Sequence, residues 1–176
     1  MENRLSGSVE GLPVKNSGIV LANGYIPMLF ERTGLTVNGK FPDGTNRQNA
    51  VHYLQFMATG LSNTDNNSSS LSKLLCGLSP SQVINEDFSI PEEHVLLMNG
   101  LINAMISHWP AIGSTSIDGF RGNWFMRDGL LVQQEDKWEL KVNKRAYDIL
   151  LNQSPFSFSI IKYPWMEKPL HVQWHY

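Results

Sequence analysis

A chain of 176 residues with 41% hydrophobic and 17% charged side chains is sized for one domain and apolar enough for a real core, which excludes a largely disordered protein. Its 14 Lys and Arg against 16 Asp and Glu leave a net charge of −2, and no basic run exceeds Lys144-Arg145, so no footprint for nucleic acid is present. Cys76 is the single cysteine, which excludes an intrachain disulfide and a four-cysteine zinc site.

Residues 1–16 contain Gly and Ser without hydrophobic periodicity and are expected to be a flexible leader ahead of one globular domain over 17–176. They hold no apolar block and hence no signal peptide. The nearest approach to a membrane span, Gly18 to Phe30, is broken by Asn23, Gly24 and Pro27, short of the roughly 18 apolar residues required. The expectation is a cytoplasmic protein with no membrane insertion.

The first apolar run is predicted to start as a helix capped by Asn16 or Ser17, with a kink or break near Tyr25 because Pro27 removes an interior hydrogen bond. Gly34 ends it, and Asn38-Gly39 marks a two-residue turn between Val37 and Phe41. A second helix is predicted from after Pro42-Asp43 to Thr59, with Val51, Leu54, Met57 and Ala58 on one face and Gly60 as its stop. Ser62 to Ser70 is low in complexity and reads as a solvated loop, and Leu71 to Leu78 as a short helical turn. Ser89, Pro91 and Glu92 suggest a capping box opening a helix from about Ile90 to His108, with Val95, Leu96, Met98, Leu101, Ile102, Met105 and Ile106 as its apolar face. Ser114 to Ser116 offer caps for a helix carrying Ile117, Phe120, Trp124 and Phe125.

The period then changes. Leu130 to Val132, Trp138 to Val142, Phe156 to Ile160 and Leu170 to Trp174 read as strands, with a hairpin loop at Gln134 to Lys137 and a short helix capped by Asn143. The fold class is therefore α+β: a helical part over 17–126 packed with a small antiparallel sheet in the sheet-rich part over 127–176.

Candidate chemistry is sparse. His171 and His175 share a strand face but stand about 13 Å apart at roughly 3.3 Å per residue, too far to share one ion, so no metal is expected. Cys76 could act as a nucleophile with His52, His94 or His108 as base, yet its frame Leu74-Leu75-Cys76-Gly77-Leu78 suits a small core residue better. No Gly-x-Ser-x-Gly and no phosphate-cradling glycine motif is present, and no cofactor is implied. The five tryptophans all lie in the last 70 residues and read as core or interface anchors. Trp165, Met166 and Trp174 are the residues expected at a partner contact.

Several blocks in order resemble a known family. They include Ile26-Pro27-Met28-Leu29-Phe30-Glu31-Arg32-Thr33-Gly34-Leu35, Ala50-Val51-His52-Tyr53-Leu54-Gln55, and Lys73-Leu74-Leu75-Cys76-Gly77-Leu78. His108-Trp109-Pro110-Ala111, Trp138-Glu139-Leu140, Tyr147-Asp148-Ile149-Leu150-Leu151, Tyr163-Pro164-Trp165-Met166 and Val172-Gln173-Trp174 follow in order. Together they resemble the C-terminal region of tape measure proteins of contractile injection systems, the phage-tail-like particles of bacteria. The resemblance implies a non-catalytic structural component, partnered by inner tube, baseplate hub or tail-end proteins and incorporated into particles. Family members carry a long segment ahead of this region, so the chain is expected to anchor or adapt and not to measure length. A small Cys/His enzyme, or a ligand- or effector-binding adaptor, are the alternatives.

Overall fold

Pro27 sets how the first apolar run folds. The computed structural model describes residues 11–175 and places Ser17–Tyr25 in a 3-10 helix that passes directly into α1, Ile26–Arg32. Pro27 stands in the first turn of α1, where its missing N–H has no helical partner to lose, so the expected break is a change of helix type at Tyr25. Ile19 to Ala22 are fully buried, and Gly18 lies so close to the Trp124–Phe125 backbone that a β-carbon would collide with the Trp124 carbonyl oxygen. After α1 the chain turns through Asn38 and Gly39, at φ 52° and 74°, closed by the Val37–Lys40 bridge.

α2, Gly44–Thr59, starts where the Asp43 carboxylate accepts the Asn46 N–H at 2.8 Å and stops at Gly60, whose φ is 72°. Every residue from Ala50 to Ala58 except Phe56 is buried, which makes α2 the central helix. The loop after it is only partly solvated as expected, with Ser62, Asn63, Asp65 and Asn67 exposed. Thr64 and Ser69 are buried, and the Asn66 side chain accepts from the Ile84 N–H at 2.9 Å while donating to the Ile84 carbonyl and to Glu86. The Asn66 carbonyl in turn accepts from Nζ of the buried Lys73 at 3.0 Å. Asparagine made this segment look like a loop, and the same amide pins it to Ile84 and Glu86, in a stretch without helix or strand some twenty residues on.

α3 is Ser70–Leu75, α4 Glu92–Ser107 and α5 Ile117–Phe120, the last continuing into a π-helical turn at Arg121–Phe125. Ser116 caps α5 as expected, accepting from the Gly119 N–H at 3.0 Å. The capping box expected at Ser89 does not form: α4 begins after Pro91 with no side-chain cap, and Glu92 and Glu93 meet the positive end of its dipole instead.

The sheet contains β1 (Leu12–Val14), β2 (Gly129–Gln133), β3 (Trp138–Val142), β4 (Ile160–Ile161) and β5 (Leu170–Gln173), in the order β1-β2-β3-β5-β4. The α+β class holds. The sheet is mixed and not wholly antiparallel, because β5 pairs parallel to β3 with Leu140 opposite Val172. The long connection through a 3-10 helix at Ala146–Gln153 and through β4 returns the chain to the end of the sheet from which β3 started. β1, from the expected leader, closes the other edge against β2; residues 1–10 of that leader lie outside the described residues. Phe156 and Phe158 precede the short β4 instead of forming a strand, packing on Trp109 and Trp174 with ring centroids 5.8 and 5.6 Å apart. Leu131, Leu140, Val142 and Leu170 turn toward the helices and are buried, while Leu130 and Lys141 on the opposite face are exposed.

Candidate functional site

Cys76 lies at the end of α3 with no exposed surface, and burial pushes its thiol pKa far up against the opposing pull of Arg47. None of its candidate bases bonds to it. Nε2 of His52 faces the Asn85 carbonyl at 2.8 Å, so it carries the proton, and Nδ1 in the neutral ring accepts from the Thr64 hydroxyl at 2.8 Å. Nδ1 of His94 meets the Tyr53 hydroxyl at 2.6 Å, and Nδ1 of His108 meets that of Tyr25 at 3.5 Å. Burial, with Glu93 nearby, pushes the Tyr53 phenol up to about 12. The thiol and the imidazoles are thus separate packing and hydrogen-bonding elements. Among the described residues, no group of three His, Cys, Asp or Glu is placed to hold a metal ion.

One ion pair is fully interior. Arg127 and Asp148, each 1% exposed, form a two-pronged ion pair with Nη2 to Oδ2 at 2.6 Å and Nη1 to Oδ1 at 2.9 Å. Oδ2 also accepts from the Arg145 N–H and from Trp174 Nε1, both at 2.9 Å. This carboxylate opens the 3-10 helix that Asn143 was expected to cap, while the Asn143 carbonyl accepts from Arg127 at 2.9 Å. The guanidinium also lies over the Trp174 ring, 5.2 Å from its centroid. Three stretches distant in sequence, at Arg127, Asn143–Asp148 and Trp174, therefore meet at one point.

Of the residues expected at a partner contact, Met166 and Trp174 are buried and present almost no surface in the free chain. Trp165 is half-buried; its Nε1 donates to the Leu75 carbonyl at 2.8 Å, and its ring packs on Phe30, Phe41 and Tyr163. Exposed apolar surface lies elsewhere. Between α1 and α4 runs an open groove of about 350 Å³ lined by Met28, Arg32, Leu96, Leu97, Gly100 and Ala104 among others, with Met28 40% and Leu96 64% exposed. Sequence reasoning missed it because Leu96 was counted on the buried face of α4. The available signal was Gly100, a poor helix former in mid-helix.

The contractile injection system tape measure protein family matches over residues 2–174. The chain belongs to this family. No curated protein and no solved structure matches it. A tape measure protein is a structural component of a contractile particle, working with the particle's other components and incorporated with them. No helix among the described residues is long and apolar enough to cross a membrane.

Proposed function

We propose that this tape measure family chain is a non-catalytic assembly module that anchors or adapts at the tube end or baseplate hub, and does not measure length by its own helical reach. The observation that supports this reading is how the helices are used. The longest among the described residues, α2 and α4, have 16 residues each, roughly 24 Å at 1.5 Å per residue, and both pack into the core. A ruler needs extended helix, whereas an anchor needs a rigid body with surface to dock. The burial of Cys76, with His52, His94 and His108 each bonded to other partners, supports the non-catalytic part of the proposal.

The test is imaging of particles from a deletion strain complemented with either the native chain or one carrying a helical insert between the exposed Gly113 and Ser114. Deletion is expected to abolish or sharply reduce assembled particles, and the insert to restore them at native length. Normal yield and length after deletion would sink the assembly role. Tubes lengthened in proportion to the insert would replace anchoring with measurement.

A further inference from the structure

We propose that the groove between α1 and α4 is a self-association surface, filled by α4 of a second copy lying antiparallel across Gly100. This goes beyond the anchoring role and stands on different observations.

The outward stripe of α4 runs Glu93, Leu96, Gly100, Ala104 and Ser107, spaced three or four apart along one helix face. Bulk is distributed unevenly along it. Leu96 projects one turn before Gly100, with the half-buried Leu97 beside it, and the small Ala104 follows one turn after. A two-fold axis at Gly100 sets position 96 of one copy opposite 104 of the other, so each leucine fills the hollow over the other copy's alanine. Such self-complementarity is what an isologous contact requires. Gly100 itself has no steric need for its missing side chain, since a β-carbon there would meet nothing within 4 Å in its own chain. Glycine in a helix interior nonetheless destabilises by about 1 kcal/mol relative to alanine. At the crossing point, its absent side chain lets the two helix backbones approach closely.

Charge agrees with the antiparallel sense. The Tyr25 hydroxyl at the start of α1 lies beside His108, just past the end of α4, so Arg32 at the other end of α1 stands toward Leu96. The second α4, running antiparallel, brings its C-terminal end to Arg32. The partial negative charge of that helix end suits a guanidinium. A parallel arrangement would set Glu92 and Glu93 of both copies side by side, with like charges opposed.

The experiment uses the whole chain and measures mass by light scattering at high micromolar concentration, with the unfolding midpoint read in parallel. The native chain is expected at twice its 19.9 kDa. Gly100→Arg sets two cations face to face at an exposed position, and is expected to return the mass to one chain without loss of circular dichroism. Leu96→Cys mixed with Ala104→Cys is expected to give a disulfide heterodimer on mild oxidation, in preference to either homodimer; Cys76, being buried, does not compete. A single-chain mass for the native protein overturns the proposal, leaving the groove to a helix of another particle protein or to residues 1–10. A dimer that survives Gly100→Arg and shows no 96–104 cross-link overturns it equally.

Discussion

Asp148→Asn perturbs the point where the helical part and the sheet are tied together. The variant keeps the shape of the side chain but removes the charge, leaving Arg127 buried at 1% exposure without a counter-ion. It also puts an amide NH2 in place of one carboxylate oxygen: in place of Oδ1 it opposes Arg127 Nη1, and in place of Oδ2 it opposes Arg127 Nη2, the Arg145 N–H and Trp174 Nε1. Removing one partner of a buried pair costs about 3–5 kcal/mol, a large share of the roughly 5–15 kcal/mol that holds a domain folded. At about 2–4 °C per kcal/mol for a chain of this length, the midpoint should fall by about 6–20 °C. Thermal and urea unfolding followed by tryptophan fluorescence measures it, Trp174 reporting from within the node. Arg127→Met/Asp148→Leu should recover part of the loss, since an apolar pair needs no desolvation, although the Asn123 and Asn143 carbonyls lose their donor. A loss below about 1 kcal/mol, the worth of an exposed pair, would refute the reasoning, as would a double variant no more stable than the single. Burial raises the Asp148 pKa, but hydrogen bonds from Arg127, Arg145 and Trp174, with the charge of Arg127, outweigh it and hold it below the ordinary value. The folded state therefore gains from this carboxylate above about pH 3.9 and loses that gain as pH falls through the lower folded value. The gap between native chain and variant should persist at neutral pH and close only in strong acid.

Cys76 is expected to resist alkylation in the folded chain and to react at the rate of unfolding; complete labelling of native protein within minutes would mean a reactive thiol instead. For His52, burial is the main cause of a pKa held below the ordinary imidazole value, partly countered by the Asn85 carbonyl and Glu86. The unfolded chain then takes up the proton first as pH falls past about 6.5, so stability declines until the folded value is reached and is level beyond it. His52→Gln should flatten that decline in urea unfolding between about pH 5 and pH 8, and an unchanged slope would assign it to other groups.

What was legible in the sequence was local. Asp43, Gly60, Asn38-Gly39 and Ser116 act on backbone within four residues, so their caps and turns could be read without knowing the fold. The misread elements have distant partners. Asn143 was expected to open a helix, but the Arg127-bound Asp148 takes that role. Asn66 sat in a polar run, and its amide is matched to Ile84. β5 alternates as any half-buried strand does, and alternation carries no direction, so its parallel pairing with β3 was invisible. The same blindness affected the candidate surface: tryptophan suits core and interface alike, and Trp174 took the core.

The sequence by itself determined the α+β class, the helix ends at Asp43, Gly60 and Ser116, the near-neutral charge and the ordered blocks that resemble one family. Only the tertiary structure decided which apolar residues reach the surface, burying Met166 and Trp174 while leaving Met28 and Leu96 beside an open groove. The reason is physical. Periodicity states that a helix has an apolar face, but burial depends on what packs against that face, and on α4 the core covers Met98, Leu101, Ile102 and Met105 while Leu96 is left exposed.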